Sequence, residues 1–179
     1  MKHQKTILAI NGSASQNSSN SIVINEVKEN CRDEYNFIIF DRLTELPPFQ
    51  TALTDNNVPE KVIEFRELIK RADGLLICTP EYVFSIPSGL KNAIEWCVST
   101  TVFSQKKTGL ITAAANGRKG HEELLLIMET LEAKFTAETT MLLPGIKGKI
   151  EQDGQLDQLT KTELKSFTNA YLKLVNNEL

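Results

Sequence analysis

Cysteine is scarce here and has no obvious partner. Cys31, Cys78 and Cys97 are an odd number without C-x-x-C spacing, each in or beside an apolar periodic segment. That excludes a disulfide framework and predicts reduced, intracellular thiols. Only two histidines occur, His3 in the N-terminal tail and His121 at a helix start, and neither joins a metal-ligand cluster or a Ser-His-Asp arrangement. No metal and no protein nucleophile is expected. Long apolar runs are also missing: the first, Ile7 to Ile10, stops at Asn11-Gly12-Ser13, too short for a signal peptide or a membrane span. The expected location is therefore the cytoplasm, with no membrane partner. Nor is there an excess of positive charge, since 20 basic residues face 23 acidic ones for a net charge of −3 and a pI near 5.5. Nucleic-acid partners usually need a basic stripe or a pI above roughly 9, so none is expected.

What the 179 residues do have is apolar content, 41% of the chain, enough for one ordinary core that buries roughly 70% of the unfolded surface. With no repeat, low-complexity tract or linker, the chain reads as a single domain over 1–179. Its apolar runs alternate with helical periodicities. Ile7-Leu8-Ala9-Ile10, Phe37-Ile38-Ile39-Phe40, Leu75-Leu76-Ile77-Cys78 and Leu110-Ile111-Thr112-Ala113 are continuous, as in strands buried on both faces. A weaker fifth strand falls near 138 to 143. Helices are predicted near 19 to 30, 59 to 72, 87 to 98, 121 to 134 and 157 to 176, the last four each with one apolar stripe, such as Leu90, Ala93, Ile94 and Cys97. The stretch 46 to 57, with Pro47-Pro48 and Asp55-Asn56-Asn57, reads as a surface loop. Such alternation predicts an α/β fold: a flavodoxin-like three-layer α/β/α sandwich around a five-stranded parallel sheet of order 2-1-3-4-5.

In that topology a ligand lies at the carboxyl ends of strands 1, 3 and 4. The loop after strand 1, Gly12-Ser13-Ala14-Ser15-Gln16-Asn17-Ser18-Ser19-Asn20, sets hydroxyls and amides before a helix N-terminus, where free N–H groups and the helix dipole favour an anion. A helix cap by Ser18 or Ser19 within an otherwise inert polar loop is the plainer reading. GxxxxGK[ST] and GxGxxG are both absent, which excludes NTPase chemistry and weakens a dinucleotide fingerprint. Strands 1 and 3 also end without the acidic residues of a metal-dependent receiver.

The second loop and its helix run Thr79-Pro80-Glu81-Tyr82-Val83-Phe84-Ser85-Ile86-Pro87-Ser88-Gly89-Leu90-Lys91-Asn92-Ala93-Ile94-Glu95-Trp96. Aromatics at a strand mouth offer walls to a flat ligand, or else pack onto the next helix or a partner subunit. After strand 4, Ala113-Ala114-Ala115-Asn116-Gly117-Arg118-Lys119-Gly120 allows close backbone approach to a planar ligand; an ordinary glycine turn is the alternative.

Two of these loops carry a resemblance. The NAD(P)H-dependent FMN reductases, with quinone, azo-dye and chromate reductases among them, read G-S-x-R-x-x-S-x-N and P-E-Y-N-x-S-x-P-x-x-L-K-N-A-I-D-W. This chain is similar at Gly12, Ser13, Ser18 and Asn20, then at Pro80-Glu81-Tyr82, Ser85, Pro87, Leu90-Lys91-Asn92-Ala93-Ile94 and Trp96. It departs at Ser15, where the family has arginine, and at Val83, where it has asparagine. The first departure leaves a phosphate to hydroxyls and a helix terminus. The second removes an amide from the expected neighbourhood of the ring.

The resemblance implies FMN, bound or exchanged, with its phosphate held by Ser13, Ser15, Ser18, Ser19 and Asn20 and its ring oriented by Pro80, Glu81, Tyr82, Val83, Phe84 and Ser85 with Asn116 and Gly117. It also implies NADPH or NADH as electron donor, a small-molecule acceptor such as a flavin or quinone, no catalytic side chain because the flavin carries the chemistry, and a homodimer or homotetramer. Phe84 and Trp96, bracketing the third helix, are the candidate aromatic contacts between subunits, with the core as the alternative place for Trp96. Arg118 and Lys119 are candidates to attract nicotinamide-cofactor phosphates. A flavodoxin-type electron carrier without NAD(P)H activity and a non-enzymatic anion sensor are the alternative readings.

Overall fold

The computed structural model describes residues 4–15 and 17–178; His3 and Gln16 lie outside that range. Five parallel strands, β1 (Thr6–Asn11), β2 (Asn36–Phe40), β3 (Gly74–Thr79), β4 (Lys107–Ala114) and β5 (Thr140–Pro144), form one sheet in the order β2-β1-β3-β4-β5. The 2-1-3-4-5 order and the flanking helices are those expected.

Alternation along each strand assigns the two faces. Ile7, Ala9, Leu76, Cys78, Ile111 and Ala113 pack under α1 (Ser19–Cys31) and α5 (Gln158–Asn176). Leu8, Ile10, Leu75, Ile77 and Leu110 pack under α2 (Glu60–Arg71), α3 (Ser88–Glu95) and α4 (Arg118–Thr130). Burying such a side chain contributes roughly 1.5–3 kcal/mol, so both faces must be covered before the sheet is stable. All three thiols are free and buried. Burial pushes their pKa values up, to about 12 for Cys31 and Cys97, so none is a poised nucleophile. Among the described residues no helix is long and apolar enough to cross a membrane.

Three local expectations change. The fourth helix begins at Arg118 instead of 121, so the third loop is shorter than the sequence suggests. The stretch 46 to 57 is a cover for α3 as well as a surface loop: the Pro47 carbonyl accepts hydrogen bonds from Trp96 Nε1 (2.7 Å) and Asn92 Nδ2 (3.0 Å), and Phe49 meets Trp96 edge-on at 5.4 Å. Trp96 is consequently fully buried. It belongs to the core, so only Phe84 of the candidate pair of interface aromatics reaches the surface.

Candidate functional site

At the carboxyl end of the sheet a cavity of about 620 Å³ is lined by Ser13, Ser15, Asn17, Ser18, Ser19 and Asn20 from the first loop, Pro80, Glu81 and Tyr82 from the second, and Ala113, Ala114 and Ala115 after β4. Gly145, Ile146, Lys147 and Gly148, after β5, close it. Part of the lining is hydroxyl-rich and includes the first turn of α1, whose leading N–H groups have no carbonyl partner within the helix. Another part, with Pro80, Tyr82, Ala113, Ala114, Ala115 and Ile146, is aliphatic and aromatic. A second cavity of about 390 Å³ shares Ser13, Ser15 and Asn17 but is bounded by Asp41. A carboxylate repels a phosphate; the one carboxylate on the larger cavity, Glu81, is engaged by the Gly117 and Gly120 N–H groups, and that cavity also reaches the start of α1, so it is the one suited to a phosphate with a flat ring.

The first loop is braced internally. Ser13 N–H donates to Asn11 Oδ1 (3.0 Å), Ser15 N–H to Ser13 Oγ (3.2 Å) and Asn11 Nδ2 to Ser21 Oγ (3.0 Å). Ser18 is the helix cap, accepting from Ser21 N–H at 3.2 Å. Asn20 turns inward: its Nδ2 donates to the Ala113 carbonyl (3.3 Å) and its Oδ1 accepts from Cys78 Sγ (3.2 Å). That side chain ties α1 to β4 and β3, and what it presents to a ligand is backbone N–H.

The second loop is clamped at two points by carboxylates. Glu81 accepts from Gly117 N–H (3.2 Å) through Oε1 and from Gly120 N–H (2.8 Å) through Oε2. An anion thereby caps α4, where Gly117 sits in the left-handed region at φ 83°. Glu123, from α4, accepts from Ser85 Oγ (2.5 Å) and Ile86 N–H (3.0 Å) and lies 3.5 Å from Lys91 Nζ. Burial opposes ionisation of Glu123, but these hydrogen bonds and the ammonium outweigh it and hold the carboxyl below its ordinary range. Burial likewise lowers the pKa of His121, partly offset by the charge of Glu122, and its Nδ1 lies 2.9 Å from Thr112 Oγ1.

Between the clamps, Tyr82 and Ser85 exchange both backbone hydrogen bonds (2.9 and 3.1 Å), with Val83 and Phe84 at φ 51° and 58°. This is the geometry of a type I′ turn, which ordinarily takes Asn-Gly. Val83 is 94% and Phe84 74% exposed. The asparagine preference at position 83 thus has a backbone reason independent of any amide contact, and a β-branched residue there is strained. Neither side chain lines the large cavity. Phe84 instead borders a groove of about 440 Å³ with Glu81, Asn116, Arg118 and Lys119.

The sequence reading missed the fourth wall, residues 145 to 148. The only hint was a lysine between two glycines after a weak strand.

A sequence model described as NADPH-dependent FMN reductase matches residues 6–146. The NADH:(hydroxy)cinnamate reductase subunit CrdA of Vibrio ruber is 30% identical over 155 residues, 83% of this chain and 76% of that protein. An NAD(P)H:quinone oxidoreductase of Solanum tuberosum is 30% identical over 164 residues, 87% and 84% of the two chains. Among solved structures, the flavoenzyme NAD(P)H:(acceptor) oxidoreductase FerB of Paracoccus denitrificans superposes with a TM-score of 0.76 at 20% identity, covering 97% of this chain and 98% of that one. A flavodoxin of Bacillus cereus reaches 0.64 at 11% identity over 94% and 97%. These two likenesses establish a common fold.

Proposed function

Since this chain belongs to the NADPH-dependent FMN reductase family, we propose that it is an NAD(P)H-dependent oxidoreductase that passes electrons through FMN to a small acceptor such as a flavin or quinone. The observation that carries the reading is one cavity joining a hydroxyl-rich helix N-terminus to an aliphatic wall bounded by Tyr82, the two surfaces that a phosphate and a planar ring require. When bound, FMN supplies the redox chemistry, accepting two electrons from the nicotinamide donor and yielding them to the acceptor. The chain's part is placement. Serine hydroxyls and first-turn N–H groups receive the phosphate, the Ala113-Ala114-Ala115 backbone lets the ring approach, and the two carboxylate clamps hold the second loop against α4. The whole chain, 1–179, acts as one flavin-binding domain in the cytoplasm.

FMN should bind roughly ten- to a hundred-fold more tightly than riboflavin, the equivalent of one charge-assisted hydrogen bond, as read by quenching of flavin fluorescence. The bound flavin should bleach under NADPH or NADH without oxygen. Equal affinity for the two flavins removes the phosphate role of the first loop. A spectrum that persists with both nicotinamides is the behaviour of an electron carrier.

The exposed Val83-Phe84 tip supports pairing of two chains beside the cavity, because apolar side chains held outward at a strained turn gain most from being covered. A tetramer would be a pair of such dimers. Changing the tip to Asn-Gly (Val83→Asn with Phe84→Gly) relieves about 1–2 kcal/mol of left-handed strain per residue, less roughly 0.5–1 kcal/mol for the freedom glycine gives the unfolded chain. The separated chain should therefore gain about 1–3 kcal/mol in urea unfolding, while light scattering moves from a paired particle to one of 20.1 kDa. A pair that survives the change has its contact elsewhere.

A further inference from the structure

We propose that Lys147, in the loop after β5, provides the positive charge opposite the FMN phosphate, the part that arginine at position 15 takes in the family pattern. The inference rests on the flavin reading above and adds a residue from a different strand end. Residues 12 to 20 contain no lysine or arginine. The large cavity has one ammonium on its lining, Lys147, and one carboxylate, Glu81. Glu81 is already engaged by Gly117 and Gly120 N–H. Lys147 is exposed and, among the described residues, makes no hydrogen bond or ion pair. An unpaired cation and an anion-seeking helix terminus therefore border the same space.

The loop that carries the lysine is itself fixed. Gly145 N–H donates to the Ala115 carbonyl (3.0 Å) and Gly148 N–H to the Gly145 carbonyl (2.9 Å), while Ile146 is buried in the core beneath α5. Gly145 takes a left-handed φ of 67°, and Cβ atoms built at Gly145 or Gly148 would meet nothing within 4 Å. The backbone on either side of Lys147 thus faces open space while its ends are anchored. Lysine is well matched to a phosphate here, because its flexible four-carbon stem carries a point charge with three donors, and a phosphate monoester at neutral pH carries a charge of about −1.5 to −2.

The test measures FMN and riboflavin affinities side by side for the unsubstituted protein, Lys147→Gln and Lys147→Arg, each at low and high salt. Lys147→Gln should lose roughly ten-fold in FMN affinity with riboflavin unchanged, and its remaining preference for FMN should lose most of its salt dependence. Lys147→Arg should keep the preference. Ser15→Arg added to Lys147→Gln should restore it by returning a cation to the hydroxyl-rich part of the cavity. An exposed side chain in a glycine-flanked loop carries little folding risk, and riboflavin binding reports on the integrity of the ring site. If Lys147→Gln keeps the unsubstituted FMN-to-riboflavin ratio while binding both flavins, the lysine assignment is overturned and the flavin reading stands. If the unsubstituted protein takes up neither flavin, both fall.

Discussion

Gly12→Ala is expected to cost the protein about 3 kcal/mol of stability and most of its flavin affinity. The Cβ it adds would lie 2.5 Å from Thr79 Oγ1, 2.6 Å from Thr79 Cβ and 3.0 Å from Thr79 Cα. Thr79 is fully buried at the end of β3, and Gly12 N–H donates to the Cys78 carbonyl at 2.8 Å. The adjoining strand ends therefore have no free side-chain terminus that could swing aside. Overpacking of this kind usually costs about 1–3 kcal/mol, and a clash that includes backbone belongs at the upper end. The effect reaches the ligand because Gly12 opens the first loop and Thr79 opens the second. Separating them widens the cavity where phosphate and ring walls meet. Urea unfolding and FMN titration of the variant check both parts; an unchanged midpoint would show that the strand ends yield after all. Thr79→Gly in the same chain, by removing the two nearest atoms, should recover part of the loss.

Glu81→Ala should be nearly as severe. It leaves the Gly117 and Gly120 N–H groups without their acceptor and strips the N-terminus of α4 of its anion. Unpaired buried donors cost about 1–3 kcal/mol each and a charge at a helix terminus contributes about 0.3–1 kcal/mol, but Glu81 is itself partly exposed and water can reach the freed groups. A net loss of about 2–3 kcal/mol is the expected result. Glu81→Gln keeps a carbonyl acceptor and should lose about half as much. Gly120 reinforces the argument, since a Cβ there would come within 3.2 Å of Glu81 Cβ and Cγ; the close approach depends on both residues. Thermal unfolding of the two variants with and without FMN separates the contributions. Equal melting temperatures for Glu81→Ala and the unsubstituted chain would make Glu81 a bystander.

The sheet was legible because parallel strands covered on both faces leave continuous apolar runs, and helices leave a 3.6-residue stripe. Four such runs and four such stripes alternate here with little ambiguity. The first two loops were legible through their motifs. What escaped the sequence depends on partners far along the chain. The Glu81 clamp joins residues separated by 36 and 39 positions, and the seat of Trp96 is made by a carbonyl 49 positions earlier. No local pattern encodes either. Val83-Phe84 hid its turn type for the opposite reason: the local residues argue against a left-handed pair, and the Tyr82–Ser85 bridge overrides them. Lys147 escaped because its loop carries no motif, and its relevance comes from sharing a cavity with a helix start more than a hundred residues away.

The distribution of that cavity along the chain has a consequence for how the protein is made. Its walls come from the ends of β1, β3, β4 and β5, so the cavity cannot be complete on the nascent chain until Gly145 to Gly148 have been synthesised. Even then Leu76, Ile111 and Ala113 have only the α1 part of their cover, because Leu164, Phe167, Tyr171 and Val175 of α5 follow later in the chain. A ligand that binds only the finished fold stabilises it by mass action, about 2.7 kcal/mol at a free concentration a hundred times its Kd. None of that help is present while the strands are still pairing across long sequence separations, the slow part of assembling a parallel sheet. Up to that moment the growing polypeptide depends on its own apolar faces and on whatever shields them from aggregation, and flavin supply in the cell can alter only how long the completed molecule survives.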